Sequence, residues 1–118
     1  AIFMEDTNPR GDKMKPFVIP GGILEIQLAT AKHFRITRED MCSNKLHTRL
    51  VLPRQIAAYL AIKRTGRSRH DIARLFGEVD HTTIGYRAEA IMKDLNTYAG
   101  VLASIEAALD KSIQDATQ

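Results

Sequence analysis

Every apolar-rich stretch of this 118-residue chain repeats at helical spacing, and none alternates with the period of two that a half-buried strand requires. Leu24, Leu28 and Ala31 fall at i, i+4, i+7, the face of a helix running to about Phe34. Ile56, Ala57, Leu60 and Ala61 supply a second face, and Ile72, Ala73, Leu75 and Phe76 a third. Ile84, Ala88, Ile91 and Leu95 repeat at i, i+4, i+7, i+11; Leu102, Ile105, Leu109 and Ile113 close the series. The expected fold class is all-α, with about six helices joined by short connections.

Local punctuation sets the boundaries. Thr37 is placed to cap a short helix through Cys42, with Asp40 three residues on in a capping-box-like pattern. Asn44 to Leu52 has no clean period and reads as a loop. Pro53 suits the first turn of the next helix, where its missing N–H costs nothing, and Gly66 is a natural stop. Ser68 can cap a short helix, Gly77-Glu78-Val79 makes a tight turn, and Asp80 or Thr82 can cap the longer helix after it. Pro9, Gly11, Pro16, Pro20, Gly21 and Gly22 break regular structure, so residues 1–21 read as a flexible arm or linker ahead of a helical domain at 22–118. Met4 reads as a natural start. Arg10, Lys13 and Lys15 give the arm basic character.

Forty-four per cent hydrophobic residues allow a buried core, and no apolar run reaches the roughly 20 residues of a membrane span. The single cysteine, Cys42, cannot form an intramolecular disulfide, which fits a reducing, cytoplasmic compartment. It reads as a small packing residue. The net charge of +3 conceals an asymmetry. From Asn44 to Arg74 there are eight basic residues and one acid, Asp71; the remainder holds nine basic and 13 acidic residues. A basic cluster of this kind suits a phosphate backbone, whose condensed counterions are released on binding, and suits equally a solvated face with no partner.

The segment from Ser68 to about residue 96 has the proportions of a helix-turn-helix: short helix, turn at Gly77, longer helix from Asp80. In that motif the first residues of the second helix touch base edges in the major groove. Here they are Asp80, His81, Thr82 and Thr83. Asp can accept from a cytosine amino group, Thr can hydrogen-bond a base or meet a thymine methyl, and His can donate or accept. Short helix–glycine–helix units also occur in plain bundles, where Asp80 would only cap. Other chemistries find little support. His33, His47, His70 and His81 lack metal-ligand spacing, no nucleophile elbow is present, and Tyr59, Tyr86 and Tyr98 form no base-stacking platform. No catalytic residue, metal or cofactor is expected.

Ile72 to Ile84, reading Ile-Ala-Arg-Leu-Phe-Gly-Glu-Val-Asp-His-Thr-Thr-Ile, resembles the signature of the carboxy-terminal duplex-binding domain of DnaA, the bacterial chromosomal replication initiator. The likeness extends upstream to Pro53-Arg54-Gln55-Ile56-Ala57 and follows the family's helix order from residue 22 to about 114. It implies sequence-specific duplex binding, with regulation of replication initiation or transcription as the outcome. It places base contacts on Asp80, His81 and Thr82. It places backbone or minor-groove contacts on Lys45, Arg49, Arg54, Gln55, Arg69, Thr83 and Arg87. The full-length initiator or other replication proteins are further candidate partners; a membrane or a nucleotide is not. Two departures stand out. Leu46 occupies the position of the family's groove-inserted arginine, and Val79 replaces the usual arginine before Asp80. No Gly-x-x-x-x-Gly-Lys-Ser/Thr loop occurs, so the chain is either a fragment of a longer initiator or a free-standing relative. The weakened loop leaves a second reading open: an interaction module that kept the fold and lost specific DNA binding, with the acidic stretch after Glu89 as its contact surface.

Overall fold

The computed structural model describes residues 22–77 and 79–116, with side chains described through Lys111. The arm at 1–21, with Met4, Arg10, Lys13 and Lys15, lies outside the described residues, as do Glu78 and the side chain of Ile113. Among the described residues six α-helices run in order: α1 (Ile23–Phe34), α2 (Arg38–Met41), α3 (Val51–Thr65), α4 (Arg69–Leu75), α5 (His81–Met92) and α6 (Leu95–Ala116). A 3-10 turn at Thr48–Leu50 leads into α3. No strand occurs among the described residues, as the absence of period-two alternation requires.

The caps fall where local chemistry predicts them. Thr37 Oγ1 accepts from Asp40 N–H (3.0 Å), Ser68 Oγ from Asp71 N–H (3.2 Å) and Asp80 Oδ1 from Thr82 N–H (2.8 Å). Each satisfies one backbone donor that the first helical turn leaves without a partner. Asp80, and not Thr82, is the cap of α5. Pro53 is the third residue of α3, still within the turn whose N–H groups have no helical acceptor.

The core forms where α3 lies against α5 on one side and α1 on the other. Ile56, Ala57, Leu60 and Ala61 of α3 meet Ile84 and Ile91 of α5 and Ile72, Ala73 and Phe76 of the α4 segment. Leu102, Ile105 and Leu109 bury the inner stripe of α6. Alanines along α3 let neighbouring backbones approach closely, so this helix becomes the centre of the domain.

Two helix faces differ from expectation. Leu24 and Leu28 are 37% and 47% exposed, while Ile23, Ile26, Gln27, Thr30 and Ala31 face inward. Gln27 Nε2 donates to the Leu75 carbonyl (2.8 Å) and its Oε1 accepts from Arg38 Nε (2.7 Å). With its side-chain amide bonded on both sides, a polar residue is accommodated in the core stripe, and the leucines lie on the shoulder. Leu95 likewise does not extend the α5 stripe. α5 ends at Met92, and Leu95 opens α6 with 43% exposure.

Candidate nucleic-acid interface

The turn between α4 and α5 is built on Gly77, whose φ of 90° lies in the region that side chains avoid. The turn places Asp80 in an extended conformation and starts α5 at His81. Ile84, Ala88 and Ile91 anchor the helix in the core, so its opposite stripe faces out: His81, Thr82, Gly85, Tyr86, Glu89 and Met92.

Asp80, His81 and Thr82 are all exposed and tied together. Asp80 Oδ1 accepts from both the Thr82 backbone N–H (2.8 Å) and Thr82 Oγ1 (2.7 Å), and His81 Nδ1 lies 3.4 Å away. Thr82 Oγ1 therefore gives its proton to Asp80 and keeps lone pairs for an outside donor. Asp80 Oδ2 accepts nothing among the described residues. This arrangement holds the Asp80 carboxyl below its ordinary value of 3.8, chiefly through the Thr82 hydroxyl, then the Thr82 N–H. A lowered folded pKa means that the stabilisation is present above the unfolded carboxylate value. It fades as pH falls through the folded one. The α5 amides should accordingly lose hydrogen-exchange protection below about pH 4, and Asp80→Asn should reduce that acid dependence. Unchanged acid loss in the variant would assign it to another carboxylate.

The structure adds a residue that sequence reasoning passed over. The His70 ring of α4 stacks on His81, with centroids 4.0 Å apart and planes inclined by 23°. The two positions are eleven apart on different helices, so no local pattern signals the pair.

The basic positions divide. Lys45 and Arg49 stay more than half exposed, yet both lean on Asp40, at 2.9 Å and 3.6 Å. Leu46 at the loop tip is 97% exposed. Thr83 is half-buried, its N–H bonded to the Asp80 carbonyl (2.9 Å), and Gln55 is half-buried in the second turn of α3. Arg69 is exposed at the start of α4.

Arg54, expected as a backbone contact, is largely enclosed. It is only 7% exposed. Its Nε donates to the Met41 carbonyl (2.9 Å) and its Nη2 to those of Ser43 (2.8 Å) and Asp40 (3.2 Å). The guanidinium clasps the end of α2 to α3 from inside. Arg87 stands close by with an Nη1 buried and without a hydrogen-bond partner. Burial, then the like charge of Arg54, holds Arg87 below the ordinary arginine value.

The charge count also overstates the free basic surface. Lys63 and Arg64 are turned to α6, where Glu106 accepts from both (3.1 and 3.0 Å) and Asp110 from Arg64 (2.8 Å). Arg74 sits 3.7 Å from Asp71. The same pairs occupy part of the acidic stretch after Glu89, which weakens it as a contact surface for a partner.

No described helix is long and apolar enough to cross a membrane. A family model described as "Bacterial dnaA protein helix-turn-helix" matches residues 23–91. Similar curated proteins include the chromosomal replication initiator protein DnaA of Bartonella quintana, 47% identical over 62 residues, and that of Brucella suis, 45% identical over the same length. These alignments cover 52% of the chain and 13% and 12% of the relatives. The DnaA of Lacticaseibacillus casei is 37% identical over 83 residues, 70% of the chain and 18% of that protein. The chain thus spans less than a fifth of the length of these relatives. With the matched region running from the first residue of α1 to the buried Ile91 of α5, the chain belongs to the bacterial DnaA helix-turn-helix family.

Proposed function

We propose that this domain binds double-stranded DNA sequence-specifically, without catalysis, and acts in replication initiation or in transcription control. One observation carries the reading. α5 is anchored by Ile84, Ala88 and Ile91 and leaves Asp80, His81 and Thr82 exposed on its first turn, with hydrogen-bonding atoms unused. In a helix-turn-helix this turn meets the base edges. In this reading the helical domain at 22–118 is the binding unit, with its helix-turn-helix at about 68–96.

Lys45, Arg49, Gln55 and Thr83 supply contacts to the sugar–phosphate backbone or the minor groove in this reading. Arg87 is half-buried and would do so by turning its guanidinium outward, since its unpartnered Nη1 is enclosed. Lys45 and Arg49 would exchange Asp40 for phosphate on binding. The initiator named among the relatives is a candidate partner, through shared sites on DNA.

Selection from random duplex, followed by affinity measurements, tests the proposal. His81→Ala and Thr82→Ala should each cost about 1–3 kcal/mol of discrimination between the selected and a random site. Thermal stability should change by less than about 0.5 kcal/mol, because both side chains are exposed. Asp80→Ala should lose discrimination and also lower the melting temperature, since it removes the cap of α5. Selection of no sequence by the wild type, or full affinity in both His81→Ala and Thr82→Ala, would refute base readout by this helix.

The fully exposed Leu46 favours a second reading, an interaction module. On that reading Leu46→Ala would leave duplex affinity unchanged at every salt concentration and abolish binding to the protein partner.

A further inference from the structure

We propose that Arg69 reads a guanine in the major groove, and that Gly85 is a positioning residue that opens the slot its side chain crosses. The inference rests on the duplex-binding reading above and adds a base contact from the first helix of the motif to those of the second.

Gly85 lies in the middle of α5, where glycine is the poorest helix former after proline and no left-handed φ requires it. Space accounts for it. A Cβ built on Gly85 would meet Arg69 Nε at 3.0 Å, Cδ at 3.4 Å and Cζ at 3.8 Å. The Arg69 side chain thus lies flat across the recognition helix, one turn beyond His81. Together with His81, Thr82, Tyr86, Glu89 and Met92 it lines a shallow gap of about 350 Å³ on the outward stripe of α5. Tyr86, 71% exposed, forms one wall.

The acids nearest in sequence are engaged elsewhere. Asp71 lies beside Arg74, and Asp80 is bonded to Thr82. Glu89 lines the same gap without pairing to Arg69 among the described residues. A guanidinium with open donors, held on the stripe that carries His81 and Thr82, matches the O6 and N7 acceptors of guanine. That fork-to-edge pairing is the commonest specific contact in the major groove. The His70–His81 stack bridges the first turns of α4 and α5 beside Arg69.

The test uses the full chain and a duplex selected by the wild type from a random pool. Each guanine of the selected site is replaced in turn by 7-deazaguanine, which lacks the N7 acceptor. One replacement should weaken wild-type binding about tenfold or more. Arg69→Ala and Gly85→Ala should both be insensitive to that replacement while still responding to changes at the bases met by His81 and Thr82. Gly85→Ala should melt at or above the wild-type temperature, since alanine favours the helix and only a flexible side chain must move. Its loss of readout therefore could not be ascribed to unfolding. Arg69→Lys should keep affinity for random duplex and lose most of the guanine preference.

If Arg69→Ala weakens selected and random duplexes equally, with the salt dependence flatter by about one unit, Arg69 is a phosphate contact and the proposal falls. A selected site with no 7-deaza-sensitive guanine overturns the proposal alone. A wild type that selects no site overturns the duplex-reading proposal as well.

Discussion

Gly77→Ala is expected to lower the stability of the domain by about 3–5 kcal/mol, more than any substitution on the DNA-facing side. Two costs add. A φ of 90° outside glycine costs about 1–3 kcal/mol, and forcing an extra methyl into a close-packed site costs a similar amount. The new Cβ would overlap the carbonyl oxygen of Cys42 and approach its carbonyl carbon to 3.2 Å. That carbonyl cannot retreat, because Arg54 holds the Met41 and Ser43 carbonyls on either side of it. Urea denaturation measures the effect as a fall in midpoint at unchanged slope. Gly66→Ala is the control. Gly66 has a φ of 67° but nothing within 4 Å of its added Cβ, so only the conformational cost of about 1 kcal/mol remains. Equal losses in the two variants would show that the α4–α5 turn is not locked against Cys42.

Arg54→Ala is expected to cost about 3 kcal/mol of stability. Hydrogen bonds from a charged donor contribute about 1.5–3 kcal/mol each, and carbonyls left buried without partners cost about 1–3 kcal/mol. The Met41 and Ser43 carbonyl oxygens lose their donor at once, while that of Asp40 keeps the Ser43 hydroxyl and N–H. Arg54→Lys should recover less than half, since one ammonium cannot reproduce the planar fork that spans these acceptors. Melting curves and hydrogen exchange at residues 40–50 give the readout, with protection falling most around Ser43. DNA affinity should fall only through disorder of the loop that carries Lys45 and Arg49. If Arg54→Ala melts like the wild type and flattens the salt dependence by about one unit, Arg54 is a phosphate contact after all.

The side-chain-capped helix starts, the helix-turn-helix proportions and the first-turn cluster were legible in the sequence, because their causes are short-range; the starts of α3 at Val51, inside the expected loop, and of α6 at Leu95 were not. A cap acts over two or three residues, as Thr37, Ser68 and Asp80 do here. A helical stripe repeats every three or four, as Ile84, Ala88 and Ile91 do. The exposure of Asp80, His81 and Thr82 is then a consequence of the burial of the other face. The family signature at residues 72–84 reflects the same local economy, since turn, cap and first-turn side chains are contiguous.

The tertiary structure decided which long-range partner each ambiguous side chain took. Of the expected α1 face Ala31 is buried but Leu24 and Leu28 are not; Ile23 and Ile26 take the core instead, beside Gln27, which bonds to Leu75, 48 residues away. Arg54, Lys63 and Arg64 look alike in a charge count. Packing against α2 buries the first, and ion pairs 42 to 46 residues distant bind the others to α6. The His70–His81 stack and the crossing of Arg69 over Gly85 exist only because α4 meets α5 at that angle. Charge and hydrogen-bonding capacity are written in the chain. Whether they turn inward to satisfy the fold or outward toward DNA is set by which backbone groups packing leaves in need of a partner.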